Sequence, residues 1–112
     1  MLSKKEIVGI LQPMIERFDL LTISEDDHYA RFDRITNAEG VDIGQVTRSI
    51  CIDSTFVTII FRLASIQATS TIGVDDEWIT SSDTLEHIYR MKRDRLFPDR
   101  LLECAERVLN HA

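Results

Sequence analysis

Apolar residues recur at helical spacing near the start of the chain. Ile7, Ile10, Leu11, Met14, Ile15 and Phe18 fall on one side, and Lys4, Lys5, Gln12, Glu16 and Arg17 fall mostly on the other. This spacing predicts an amphipathic helix of about four turns. Ser3-Lys4-Lys5-Glu6 has the form of a capping box at its start. Pro13 lies inside it and predicts a kink or break near Leu11.

The pattern then changes period. Leu20, Leu21 and Ile23 form a short apolar run, and Glu25-Asp26-Asp27 reads as a turn. From His28 to Ile35 the residues alternate imperfectly, as an edge or second strand with one wet face would. Residues 36–40 are a loop by composition. Residues 41–53 fit two patterns. Ile43, Val46 and Ile50 suit a helix, whereas Val46, Arg48, Ile50 and Ile52 alternate, and the β-branched content favours strand from Val46 onward. Residues 55–63 carry the strongest strand signal, apolar on nearly both faces, which predicts a central strand covered by helices. Residues 65–74 predict a further strand with one solvated face, closed by Asp75-Asp76-Glu77.

Two helices are expected after the sheet. Asp83-Thr84-Leu85-Glu86 has the form of a second capping box, and Leu85, Ile88, Tyr89 and Met91 suggest a helix to about Asp94 or Arg95. Pro98 suits the first position of a final helix whose apolar stripe is Leu101, Leu102, Ala105, Val108 and Leu109. The expected fold is therefore α+β. It has an N-terminal helix, a three- to five-stranded and mostly antiparallel sheet, and two C-terminal helices, in a single domain over residues 1–112. Its expected core is Phe56, Val57, Ile59, Ile60 and Phe61, packed under Ile7, Leu11, Met14 and Ile15 and under Leu101, Leu102, Ala105 and Val108.

Composition removes several classes. Of 112 residues, 44% are hydrophobic and 29% charged, the proportions of an ordinary globular domain rather than a disordered tail or collagen-like rod. Residues 54–74 hold a single charge but are too β-branched and hydroxyl-rich for a spanning helix, so no membrane is expected. Cys51 and Cys104 form no C-x-x-C pair; they read as two free thiols of a reduced, cytoplasmic protein.

Candidate chemistry is sparse. His28, His87 and His111 have no ligand partners at chelating spacing, and His87 falls on the solvent side of its predicted helix, so no metal is expected. Gly9, Gly40, Gly44 and Gly73 compose no nucleotide-binding loop, so no cofactor is expected. No residue is assigned a catalytic role, and the chain reads as a non-enzyme.

Charge is the informative feature. Nineteen acids against thirteen bases leave a net charge of −6. Residues 1–82 carry thirteen acids and seven bases, and residues 83–112 six of each. The two acidic triplets, Glu25, Asp26, Asp27 and Asp75, Asp76, Glu77, with Trp78 beside the second, form the candidate partner-binding edge. The leading expectation is a small acidic binding module of the inhibitor, immunity, antitoxin or chaperone type, acting on a basic protein. One alternative is a homo-oligomeric small enzyme or ligand-binding subunit with a pocket at the interface. The other is a DNA-associated regulator using the basic residues from Arg90 to Arg100 in a helix-turn-helix. The acidity of the whole chain opposes that last reading.

Overall fold

The computed structural model describes residues 1–24, 28–65, 78–79 and 85–110. Helix α1 (Lys4–Arg17) is followed by strands β1 (Leu21–Ser24), β2 (His28–Thr36), β3 (Asp42–Ile52), β4 (Phe56–Ser65), β5 (Trp78–Ile79) and β6 (Leu85–Lys92). A 3-10 turn (Arg93–Arg95) then leads into helix α2 (Pro98–Leu109). The sheet order is β1-β2-β3-β4-β6-β5, and every described pairing is antiparallel. The architecture is α+β, with five strands of four residues or more and the two-residue β5 at one edge.

Helix α1 forms where the spacing places it. Ser3 Oγ accepts from the Glu6 amide at 3.1 Å, and the Ser3 amide donates back to Glu6 Oε1 at 3.3 Å. Of the expected kink or break near Leu11, the break does not occur, since α1 is continuous through Pro13. A helical proline loses the bond to the carbonyl four residues back and crowds it. That residue is Gly9, which is exposed and has nothing within 4 Å of a would-be Cβ. The released carbonyl therefore lies where water reaches it.

Strand β3 settles the ambiguous stretch, since Asp42–Ile52 is strand throughout. The β2–β3 hairpin closes through Gly40 at φ 80°, where a side chain would be strained. Asp53 shapes the next turn, its Oδ1 accepting from the Thr55 and Phe56 amides at 2.7 and 2.6 Å.

One face of the sheet carries the core. Val57, Ile59 and Phe61 of β4, Ile50 and Ile52 of β3, and Tyr89 and Met91 of β6 meet Ile7, Leu11, Met14 and Ile15 of α1 and Leu101, Ala105, Val108 and Leu109 of α2 in a single cluster. Leu102 packs on it half-buried. Phe56 and Ile60 are out of phase with this set and lie half-buried on the opposite face. Strand β4 is central as expected, but both described helices cover the same face, so it is not helix-covered on both sides.

The larger correction is at residues 83–95, expected as the first of two C-terminal helices. Leu85–Lys92 is strand β6, paired with β4 from Phe56↔Lys92 to Leu63↔Leu85, and α2 is the only described helix after the sheet. The physical reason is burial on both faces. Tyr89 and Met91 face the core while Ile88, 1% exposed, is buried on the other side. An apolar residue out of phase with two in-phase ones imitates helical spacing. The strand expected over 65–74 lies outside the described residues beyond Ser65, and so do Asp83 and Thr84 of the second capping box.

Two outcomes test this packing. Ile59→Ala should cost about 2–5 kcal/mol in denaturant unfolding, because the site is fully buried in the shared cluster. Gly9→Ala, in open space on a solvent-facing turn, should raise stability by about 0.5–1 kcal/mol in the same assay.

Candidate functional site

The structure brings together few of the residues singled out by the sequence. Glu25, Asp26, Asp27, Asp75, Asp76 and Glu77 lie outside the described residues. Their described neighbours are placed. Ser24 ends β1 opposite His28 of β2, and Trp78 opens β5 opposite Tyr89 of β6. Strands β1 and β5 are the two edges of the sheet, five strand spacings apart, or roughly 24 Å at the usual separation. The register follows one row from Thr22 through Tyr29, Ile50, Ile59 and Tyr89 to Trp78. These neighbours therefore share a level along the strands while standing on opposite edges.

The basic segment serves the fold. Arg90 lies over the Phe56 ring at 3.9 Å, and Arg100 donates to the Tyr89 hydroxyl at 2.6 Å. Arg93 is 7% exposed, and its guanidinium donates to the main-chain carbonyls of Leu2 at 2.8 Å and Asp53 at 3.0 Å. Its own amide donates to the Thr55 carbonyl at 2.8 Å. Because Leu85–Lys92 is a strand, the helix-turn-helix geometry behind the DNA-associated reading is absent from these residues. Arg48 acts similarly at the other end of the sheet. Its Nε donates to the Leu109 carbonyl at 2.7 Å, and its guanidinium lies 5.1 Å from the Phe61 ring centroid and 5.4 Å from that of Phe18. A cation on the last carbonyls of a helix complements both the orphan acceptors and the helix dipole.

Among the described residues, which exclude His111, the histidines and cysteines stand apart from one another except for His28 and Cys51. His87 sits on β6 opposite Phe61, half-buried rather than on the solvent side of a helix. His28 is the cross-strand neighbour of Cys51 on the face away from the helices. Burial, with the nearby Asp53 carboxylate second, pushes the Cys51 thiol up from its ordinary value. Burial also raises Cys104, with smaller opposing effects from Tyr89 and Arg100. A nucleophilic cysteine needs the opposite shift. The two sulfurs belong to opposite sides of the sheet, with Cys104 in the core cluster under α2 and Cys51 on the other face. Among the described residues no group of three or more His, Cys, Asp or Glu could hold a metal ion, and no helix is long and apolar enough to cross a membrane. A recess of about 280 Å³ beside the N-terminus is lined by Met1, Ser54, Thr55, Lys92 and Asp94, of whose side chains one is a cation and one a carboxylate.

Sequence reasoning missed the exposed apolar residues at the β1 edge. Leu21 is 63% exposed, Ile23 49% and Phe32 56%. Phe32 lies on the opposite face of β2 from Tyr29, the residue packed on the core. The signal was an aromatic residue in the wet phase of an alternating strand. No family model, curated protein or solved structure matches the chain.

The thiols give a direct measurement. Both should alkylate slowly in the native protein at neutral pH, with a rate–pH midpoint above that of the unfolded chain, because their raised values favour the protonated form. After denaturation without reductant, two thiols should titrate. Fewer than two would show that a disulfide had formed in solution.

Proposed function

We propose that the chain is a small non-enzymatic binding module, of the inhibitor, immunity, antitoxin or chaperone type, that engages a basic protein through Glu25, Asp26, Asp27, Asp75, Asp76 and Glu77 with Trp78 as an apolar anchor. One observation carries this reading. Six of the nineteen acids fall in the two triplets, and the rest of the chain holds thirteen acids against thirteen bases. The two triplets therefore account for the whole net charge of −6. Charge spread evenly for solubility would not leave the remainder balanced. Charge gathered in short segments gives a local field that accelerates association with a partner of opposite sign.

Several charges outside the triplets meet in local pairs. Arg17 meets Glu106 at 3.1 Å, Arg31 meets Asp19 at 2.7 Å and Asp33 at 3.1 Å, and Arg107 meets Glu103 at 3.2 Å. These pairs are solvent-exposed and contribute little to stability, but they cancel one another's fields at a distance. A cytoplasmic, reducing location suits the two unbridged cysteines.

The experiment treats the two triplets separately, since their described neighbours stand on opposite edges. A tagged full-length chain is used to isolate the basic partner from the native host, and association of the purified pair is followed by stopped-flow fluorescence. Reversal of Asp75, Asp76 and Glu77 to Lys should slow association by roughly tenfold at low salt and flatten its salt dependence, leaving the thermal midpoint nearly unchanged. The Glu25, Asp26 and Asp27 reversal is scored in the same way. Unchanged association rates in both variants would overturn the reading.

A further inference from the structure

Among the described residues, the β1 edge of the sheet is only partly closed. Strand β2 runs nine residues, but β1 pairs with only His28, Tyr29 and Ala30. From Arg31 onward no described strand lies on the outer side of β2. An open edge presents backbone donors and acceptors in register and is a template for another strand. Natural edges are blunted by lysine, proline, bulges or charges that repel a newcomer. Between Arg31 and Ile35 there is no lysine, proline or bulge, and the register irregularity comes only at Ile35/Thr36. Beside this edge lie Leu21 and Phe32, both more than half exposed. Leu21 is opposite Ala30, which makes it a diagonal neighbour of Phe32 on the same face.

We infer that this edge is the contact between two copies of the chain, which pair β2 with β2 antiparallel about a two-fold axis. The inference is independent of the acidic reading above. The order of side chains along the edge decides the occupant. The sequence Arg31-Phe32-Asp33-Arg34-Ile35 is complementary to itself when Asp33 lies on the axis. Phe32 then stands directly opposite Arg34 of the second copy, and Arg34 opposite Phe32, giving two cation–π contacts on one face. On the other face each Arg31 is diagonal to the second copy's Asp33. The two carboxylates at the axis, which alone would repel, are thus flanked by two guanidiniums. Arg31 already donates to Asp33 at 3.1 Å and to Asp19 at 2.7 Å within one chain, so its guanidinium is held beside Asp33 before pairing, with its Asp19 contact shared in the dimer. Arg34 is held only by an exposed pair with Asp42 at 3.3 Å, a weak restraint.

Neighbouring registers fail. Keeping each side chain on its own face requires shifts of the axis by a whole residue. Moving the axis to Phe32 would place Arg34 of the second copy beside Ala30, where Leu21 already sits. Moving it to Arg34 would set two guanidiniums opposite each other. With Asp33 on the axis the pairing spans residues 31–35, and the second copy departs at its Ile35/Thr36 irregularity, before it reaches β1. A closed two-fold contact of this kind is self-limiting and does not propagate into a fibre.

The test is sedimentation of the full chain from roughly 1 μM to roughly 1 mM, the range separating firm from weak association. A concentration-dependent dimer is expected. Phe32→Lys, which sets a cation against Arg34, should weaken it at least tenfold while leaving the monomer's thermal unfolding intact, because Phe32 is exposed. Asp33→Cys should form an intermolecular disulfide under mild oxidation, since only this register places residue 33 against its own copy, whereas Glu16→Cys on the outside of α1 should not. A monomer throughout the range, a dimer indifferent to Phe32→Lys, or equal cross-linking of the two cysteine variants would each overturn the inference.

Discussion

The unbroken antiparallel register through β3, β4 and β6 governs the molecule. Nine consecutive pairs join β3 to β4 and eight join β4 to β6, with no irregularity in either ladder. A slip of one residue would exchange the two faces, turning Ile50, Ile59 and Tyr89 away from the helices and Ser49, Ile60 and Ile88 toward them. The register thus decides where α1 and α2 can pack, and it keeps the two cysteines on opposite sides of the sheet. The β2–β3 ladder extends the same alternation outward until the irregularity at Ile35/Thr36. Among the described turns, those at Gly40 and Asp53 have chemistry of their own, a positive φ and a capping carboxylate.

Buried and half-buried arginines fasten the helices to this sheet. Arg93 joins three pieces of chain, namely Leu2 ahead of α1, the β3–β4 turn and the end of β6. It does so through carbonyls rather than carboxylates. A guanidinium with five donors in a fixed fork is suited to several main-chain acceptors at once, where an ammonium is a compact point charge. Arg48 performs the matching task at the C-terminal end of α2, with its flat guanidinium between the rings of Phe18 and Phe61. Of the basic residues from Arg90 to Arg100 that suggested a helix-turn-helix, Arg90, Arg93 and Arg100 make contacts within the fold. A count of basic residues cannot separate these roles, because each joint is made with residues far away in the chain.

Legibility followed burial. Helix α1, helix α2 and strand β4 were readable because each buries one clean stripe or a long β-branched run, and their core residues Ile7, Leu11, Val57, Ile59, Leu101 and Val108 were named correctly. Strand β6 was misread because Ile88 is buried on the far face while His87, in phase with the core side, is polar and half-buried. Residues 41–45 kept helix and strand both open because alternation there is carried by Gly44 and Gln45 rather than by apolar side chains. The open β2 edge was illegible for a different reason. Whether a strand has a neighbour depends on the length of the preceding strand, and β1 is only four residues long. Phe32 was visible as an aromatic residue in the wet phase, but its significance needed the missing neighbour.

The charge pattern and the open edge separate two surfaces by their chemistry. Outside the triplets acids and bases are equal in number and several meet in short local pairs, so contact there draws on shape, backbone pairing and apolar area. The β2 edge offers these. The two acidic triplets concentrate like charge, which repels a second copy and favours an oppositely charged protein. Like surfaces can pair about a two-fold axis only where the sequence is self-complementary, as Arg31-Phe32-Asp33-Arg34 is and Asp75-Asp76-Glu77 is not. The proposed self-association and the proposed binding of a basic partner therefore call for different segments of this chain. A second copy bound along residues 31–35 would hold two sets of acidic segments in one assembly and raise the effective concentration a multivalent basic partner meets.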